Sequence, residues 1–268
     1  MGKIGKLLVL FLILMMSVPA FAARDPVIKY EGSSTAGFFM TDAANVYKRA
    51  VIERSVLTES NGGEICPLAK TCDIGGVARD IYPLFIKKGL YAFPFAYDML
   101  TAIVNSENPV KELTSDQLKG IFSGKIKNWK EVGGENQPII VYIVGKESAT
   151  RDVFKMHILQ DSEYGVYSKV TRPDWMVVLN VNLVKGGIGH ISYSFAANTD
   201  QVRPLIIDGL NPLDRRFEYP IRRVLYLTTF GFPRGAVKEF FDWILSDEGR
   251  EVIKKRFVPY WSELPLHK

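Results

Sequence analysis

Cysteine and histidine are both scarce in this sequence. Two cysteines and three histidines occur among its 268 residues. Cys66 and Cys72 have no neighbouring histidine, so they do not make up a zinc site. Their separation of six positions is not the C-x-x-C spacing of a reactive thiol pair. We therefore expect neither a metal ion nor another cofactor in this protein.

Long basic runs are absent as well. The net charge is +5, and it falls to +3 without Lys3 and Lys6. Arg215-Arg216 and Arg222-Arg223 are isolated pairs, and no Lys/Arg block carries interleaved aromatic residues. A charge of this size and distribution argues against a nucleic-acid partner.

Apolar runs long enough to span a bilayer are also lacking. The apolar segment at residues 7–16 has about ten residues, a length typical of a signal peptide and too short for a membrane span. It follows Lys3 and Lys6 and precedes an A-x-A pattern that ends at Ala22. We predict that residues 1–22 are a signal peptide and that the mature chain is exported. No cysteine lies directly after the apolar core, where it could carry a lipid anchor.

Export changes what the two cysteines are expected to do. Disulfides form and persist in exported proteins, so Cys66 and Cys72 are predicted to form a local disulfide that closes a small loop.

Segments with strand and helix patterns alternate along the mature chain, which has no internal repeats. This alternation predicts α/β layers with mostly parallel sheets, in which ligands bind where strands lead into helices. The predicted strands are residues 27–30, 55–58, 72–76, 99–104, 138–144, 188–193 and 224–228. The predicted helices are residues 38–54, a segment opened by a capping box from Thr114 to Gln117, and residues 236–245.

Short runs rich in hydroxyl side chains lie at such junctions. They are Gly32-Ser33-Ser34-Thr35 and Ser148-Ala149-Thr150-Arg151. Ser and Thr hydroxyls cap helices, and the free N–H groups of a first helical turn bind anions. An ordinary helix cap is the alternative for either run taken alone. After the second run, His157 falls on the apolar face of a helical pattern and is expected in the core.

The chain resembles the solute-binding proteins of phosphate ABC transporters, in the short, periplasmic PstS-like branch. The resemblance covers nearly all of the mature chain, and its most specific part is residues 121–129. The segments that carry it are residues 30–35, 59–63, 72–79, 96–105, 113–129, 148–151 and 187–193.

This resemblance implies two α/β lobes joined by two hinge strands, with the ligand in the cleft between them. The first lobe is expected at residues 26–97, completed by residues 223–268, and the second at residues 98–222. Closure of the hinge around the ligand would be the functional motion.

The resemblance also implies a site that holds an inorganic oxyanion, most often phosphate, without a metal. Backbone N–H groups and hydroxyls from three segments would bind it, and Arg79 and Arg151 add cations suited to oxyanions. The expected ligand-binding residues are Ser34, Thr35, Ala36, Ser60, Asn61, Gly62, Gly63, Arg79, Ser148, Ala149, Thr150 and Arg151.

The chain departs from the family pattern at two places. Ala78 stands where the family commonly has Ser or Asp, and Val144 stands where it often has Arg. In addition, Ala149 replaces the Gly of an S-G-T motif. An acidic side chain at position 78 would accept the proton of monohydrogen phosphate, so that contact must be absent or supplied elsewhere. Lys146, Arg79 or Arg151 are the candidates to replace the missing cation.

The expected function is therefore that of a periplasmic binding protein, a monomer that delivers its oxyanion to an ABC transporter permease. A second hypothesis keeps the fold and makes the protein a divergent or ligand-sensing periplasmic protein that signals to a membrane partner. A hydrolase is a third hypothesis, but no G-x-S-x-G motif is present and no Ser–His pair is suggested by the local sequence. We expect no enzymatic activity.

Substitution of the hydroxyl residues tests this site directly. Thr150→Ala or Ser34→Ala is expected to weaken oxyanion binding by about tenfold or more, because each removes one charge-assisted hydrogen bond. Isothermal titration calorimetry measures the change. Unchanged affinity in both variants would contradict the site.

Overall fold

The computed structural model describes residues 25–197, 199–214 and 218–263. The predicted signal peptide lies outside these residues. The strands are β1 (Val27–Gly32), β2 (Val51–Ser55), β3 (Ile74–Val77), β4 (Leu90–Asn105), β5 (Glu112–Leu113), β6 (Ile140–Val144), β7 (Lys169–Thr171), β8 (Gly187–Ser192), β9 (Val202–Pro204), β10 (Ile206–Ile207), β11 (Arg222–Phe230) and β12 (Val258–Pro259). The α-helices are α1 (Ser34–Val46), α2 (Glu59–Ala69), α3 (Pro83–Lys87), α4 (Ser115–Phe122), α5 (Ala149–Phe154), α6 (Met176–Asn182), α7 (Tyr193–Ala196), α8 (Gly235–Leu245) and α9 (Asp247–Lys254).

Most of the strands belong to one curled sheet with the order β2-β1-β3-β11-β4-β8-β6-β7. At one end, β1 pairs in parallel with β2 and β3. At the other end, β6 pairs in parallel with β7 and β8. The two strands between these groups, β11 and β4, are antiparallel to their neighbours. This mixed sheet with flanking helices confirms the predicted α/β class.

Strand β4 runs through both halves of the sheet. Its first part, residues 90–99, pairs with β11, and residues 100–104 pair with β8. One hydrophobic cluster draws its buried side chains from residues 28–96 and 225–257, with Ala149 added. Two other clusters draw theirs from residues 99–221. The chain therefore builds separate apolar cores on either side of the point where β4 and β11 pass between them.

The bounds of the first predicted helix were wrong. Helix α1 spans Ser34–Val46. It begins at Ser34 because the Ser33 side chain caps it by accepting a hydrogen bond from the Ala36 N–H. The following residues form β2, which pairs Val51 and its successors with β1. Strand β2 thus occupies positions that were predicted to end the helix. The second strand was predicted at residues 55–58, and residues 56–58 lie after the end of β2.

Helix α2 begins within a segment that was predicted to end a strand. Glu59 to Gly63 form its first turn, and Glu59 takes a positive φ of 49° there. The predicted capping box of α4 is confirmed, with Thr114 and Gln117 bonded reciprocally. Cys66 and Cys72 form the predicted disulfide, with a Cα–Cα distance of 5.4 Å. His157 was expected in the core but is exposed, because the backbone from Lys155 to Leu159 forms a π-helix that shifts the helical register.

In the part of the chain that the structure describes, we find no helix with both the length and the apolar character needed to cross a membrane.

Glycine is required where α2 meets β3. A Cβ added at Gly63 would lie 2.0 Å from the carbonyl oxygen of Gly76, which is backbone and cannot rotate away. Gly133 has a φ of +85°, and an added Cβ would meet nothing within 4 Å.

We predict that Gly63→Ala lowers the free energy of unfolding by roughly 3 kcal/mol or more, through steric overlap with the backbone of β3. The control Gly133→Ala is expected to cost only about 1–2 kcal/mol, from its backbone conformation alone. Urea denaturation followed by circular dichroism measures both values. Equal losses would show that the contact between α2 and β3 is not tight.

Candidate functional site

A buried arginine joins three distant parts of the chain. Arg223 Nε donates to Asp98 Oδ2 at 2.9 Å and Nη2 lies 2.9 Å from the same oxygen in an ion pair, and both side chains are almost fully buried. Its Nη2 also donates to Thr35 Oγ1 at 3.0 Å, and its Nη1 donates to Thr150 Oγ1 at 3.1 Å. Thr35 and Thr150 belong to the two hydroxyl-rich runs singled out in the sequence. The structure therefore brings those two runs together around a guanidinium group.

The strand pattern explains why Arg223 points inward. Ile221, Arg223, Leu225 and Leu227 alternate along β11 and its approach, and all four are buried. Arg223 also pairs in register with Asp98 on β4. The Asp98 carboxylate accepts a second hydrogen bond, from the Ser192 hydroxyl at 2.7 Å. Burial raises the pKa of Asp98, while Arg223 and Ser192 act to lower it. Asp98 thus holds the arginine at the junction of the two cores.

The contacts of Arg223 determine what the two threonine hydroxyls can do. A guanidinium group has only donors, so each threonine oxygen acts as an acceptor towards it. Each hydroxyl keeps its own proton for another partner. Ser60 is arranged in the same way, since its Oγ accepts from the Ala78 N–H at 3.1 Å. Three hydroxyl donors suited to an anion are therefore oriented by contacts within the protein.

The remaining predicted serines bond to carboxyl groups. The Ser34 N–H donates to Glu59 Oε2 at 2.9 Å, and the Ser148 hydroxyl donates to Asp174 Oδ2 at 2.5 Å. The Ser148 oxygen also caps α5 by accepting from the Thr150 N–H at 3.3 Å. The Ser34 hydroxyl is buried without a well-formed hydrogen bond among the described residues.

Four of the predicted positions have no polar side chain. The Ala36 N–H donates a hydrogen bond to the hydroxyl oxygen of Ser33. Ala149 is buried in the hydrophobic cluster formed mostly by residues 28–96 and 225–257, so it packs against residues that are distant from it in the sequence. Gly62 and Gly63 lie in the first turn of α2, where Cβ atoms would collide with Thr58 and Gly76.

The cations considered for the site contact groups other than the two threonines, although Arg79 and Arg223 line the same pocket. Arg79 donates to Glu64 at 2.7 and 2.8 Å and to Asn61 Oδ1 at 2.9 Å. Arg151 donates to the carbonyl oxygen of Val144 at 3.0 Å and lies over the ring of Tyr164. Lys146 is exposed. The cation that contacts both threonines is Arg223.

Two carboxyl groups near Arg223 have unusual protonation behaviour. Burial and then the charge of Asp174 raise the pKa of Glu59 to about 7, although Ser34 and Arg223 oppose the shift. Burial raises the pKa of Asp174 to about 6, against the effects of Ser148 and Arg223. Both groups therefore titrate near neutral pH. Within the described ranges, no group of three or more His, Cys, Asp or Glu side chains is arranged to hold a metal ion.

Sequence reasoning missed Arg223, Asp98, Glu59 and Asp174. The alternation of buried positions along β11 was a signal for an inward-facing Arg223. The other three lacked a comparable signal, because each becomes part of the site through contacts with residues far away in the sequence.

Several known proteins resemble this chain in sequence or in structure. A family model described as "PBP superfamily domain" matches residues 19–248. A phosphate-binding protein PstS from Bacillus subtilis is 34% identical over 172 residues, which is 62% of this chain and 55% of that protein. The chain thus spans about half the length of this relative. A phosphate-binding protein PstS from Borreliella burgdorferi is 23% identical over 257 residues, or 87% of this chain and 89% of that protein.

Among solved structures, one from Clostridium perfringens is described as a phosphate ABC transporter substrate-binding protein with bound phosphate. It has a TM-score of 0.77 and 28% identity, and the match covers 87% of this chain and 98% of that one.

The raised pKa values predict how stability depends on pH. Groups that bind protons more tightly in the folded state stabilise it below their unfolded pKa, and this contribution is lost as pH rises through the folded pKa. For Glu59 the window is about pH 4.5 to 7. The loss is on the order of 3 kcal/mol.

We predict that Glu59→Gln is more stable than the parent at pH 8, and that its advantage shrinks towards pH 5. Melting temperatures of the ligand-free protein measured across this range test the expectation. Glu163→Gln is the control, because it changes a carboxylate that is exposed at the surface in an ion pair with Lys155. A parallel shift of the Glu59→Gln curve at every pH would contradict the raised pKa.

Proposed function

This chain belongs to the PBP superfamily domain family, and on that premise we propose that it is a periplasmic binding protein for an inorganic oxyanion, phosphate above all. The family is one of substrate-binding receptors. We propose that the protein has no catalytic role and delivers its ligand to an ABC transporter permease.

One observation carries this proposal most directly. Arg223 holds the hydroxyls of Thr35 and Thr150 together while its charge stays paired with Asp98. Oriented hydroxyl and N–H donors are the groups that bind an oxyanion without a metal, and hydrogen bonds to charged groups are stronger than neutral ones. About 1.5–3 kcal/mol per such bond makes micromolar affinity reachable with a handful of them. Ser60 adds a third hydroxyl donor from the start of α2.

We further propose the two-lobe division that the sequence suggested, with residues 26–97 and 223–268 in one lobe and 98–222 in the other. The separate apolar clusters support it. In this division Thr35 and Thr150 belong to opposite lobes, so an oxyanion bound between them would favour closure about β4 and β11. The proposal includes export by a cleaved signal peptide and action as a monomer.

Isothermal titration calorimetry of the chain without residues 1–22 tests the function. Phosphate, sulfate, molybdate and tungstate are titrated separately. We expect phosphate to bind with micromolar or tighter affinity. The proposal fails if none of the four binds down to millimolar affinity.

A matched pair of substitutions tests the threonines. Thr35→Val and Thr150→Val keep the side-chain shape and remove the hydroxyl, so each is expected to weaken phosphate binding by about tenfold or more. Thr41→Val is the control, because Thr41 is exposed on α1 and its hydroxyl donates to the Gly37 carbonyl. Calorimetry measures all three, and equal affinities for the parent and both site variants would place the ligand elsewhere.

A further inference from the structure

The inference that follows rests on the proposed oxyanion site. We propose that Glu59 and Asp174 form a carboxyl pair at that site which takes up a proton when an oxyanion binds, so that binding is coupled to pH through the protein itself. The pair would also supply the acidic contact that Ala78 does not provide.

Glu59 is held at the site by an uncommon backbone conformation. Its φ of 49° lies in the left-handed region, which non-glycine residues rarely adopt. The residue is 8% exposed, and its Oε2 accepts from the Ser34 N–H at 2.9 Å. Strained residues of this kind cluster at functional sites. The carboxylate therefore bonds to an N–H in the first turn of α1, beside Thr35.

Asp174 has the equivalent position on the other side. It is 5% exposed, and it accepts a hydrogen bond from the hydroxyl of Ser148, which caps α5 two residues before Thr150. Each carboxyl group is thus bonded to the segment that carries one of the two threonines. An oxyanion held by Thr35 and Thr150 would lie beside both.

The charges facing this pair come from several elements. The charges of Asp174 and Arg223 act on the pKa of Glu59, and the charge of Glu59 acts on the pKa of Tyr30 on β1. The charge of Arg223 and the charges of the exposed ion pair between Glu147 and Arg172 act on the pKa of Asp174. Arg223 is the cation common to both, and its charge is already matched by Asp98.

The charge of Arg223 is therefore already matched before a ligand enters. Bringing an oxyanion against two ionised carboxylates in a buried site is repulsive, and the repulsion is strong where the dielectric is low. A proton on one carboxyl group removes a negative charge and turns an acceptor into a donor to the oxyanion. The proton comes from solvent and remains in the complex.

The protonation behaviour of the free protein fits this coupling. The pKa of Glu59 is about 7 and that of Asp174 is about 6, so a proton is available to the pair near neutral pH. A bound anion raises the pKa of a neighbouring carboxyl group further. Binding should therefore become weaker as pH rises above 7.

The experiment compares phosphate affinities of the parent chain and Glu59→Gln at pH 5.5, 7 and 8.5. Phosphate itself titrates in this range, but the ratio of the two dissociation constants at each pH cancels that effect. We expect the dissociation constant of the parent divided by that of Glu59→Gln to be lowest at pH 5.5. This ratio should rise about tenfold or more by pH 8.5, because only the parent loses affinity when its carboxyl pair is ionised. Asp174→Asn should show a similar trend.

Glu147→Gln is the matched control. It removes a carboxylate next to Asp174, but the hydrogen bond from Arg172 lowers the pKa of Glu147, so it stays charged throughout the range. Its ratio to the parent should change with pH much less than that of Glu59→Gln, because Glu147 acts on Asp174 only from a distance and does not itself take up the proton. Calorimetry at pH 7.5 in two buffers of different ionisation enthalpy should also find greater proton uptake by the parent than by Glu59→Gln.

Each outcome decides the matter. Phosphate binding with pH-independent ratios for both Glu59→Gln and Asp174→Asn overturns the carboxyl pair and leaves the proposed function standing. Absence of phosphate binding to the parent and to both variants at every pH overturns the function and the pair together. Binding to the variants at pH 8.5, where the parent binds weakly or not at all, supports the pair.

Discussion

The hydrogen bonds of one buried guanidinium group organise the rest of the site. A guanidinium group has only donors, so Arg223 needs acceptors where it is buried, and its charge needs a partner there. Asp98 neutralises it, and the oxygens of Thr35 and Thr150 complete its partners. Because these two threonines follow different strands, the arginine connects segments that the sheet alone would leave apart. The hydroxyl protons of Thr35 and Thr150 are then available to a ligand that lies between the two side chains.

The curled sheet makes this arrangement possible. Strand β4 pairs with β11 along its first part and with β8 along its second, so its middle lies between the two apolar cores. Asp98 sits at that middle, and register pairing brings Arg223 opposite it. Under the proposed two-lobe division, closure about these two strands would bring Thr35 and Thr150 around a ligand without disturbing either core. Fold and proposed function therefore depend on the same pair of strands.

Much of this could be read from the sequence. Alternating strand and helix patterns gave the α/β class, and the hydroxyl runs before α1 and α5 were found at the junctions where ligands bind. Element bounds were harder, since apolar spacing continued past Val46 into residues that pair as β2. Arg223 was overlooked because its partner Asp98 is 125 positions away. Glu59 turns inward through a backbone angle and a contact with Ser34, and neither follows from its neighbours in the chain.

The central claim is that an oxyanion lies between Thr35 and Thr150, with Arg223 holding both. A crystal structure of the chain without residues 1–22, grown with phosphate, tests it most directly. The account predicts phosphate oxygens within hydrogen-bonding distance of Thr35 Oγ1 and Thr150 Oγ1, while Arg223 keeps its contact with Asp98. Phosphate bound at a place that touches neither threonine would contradict the account.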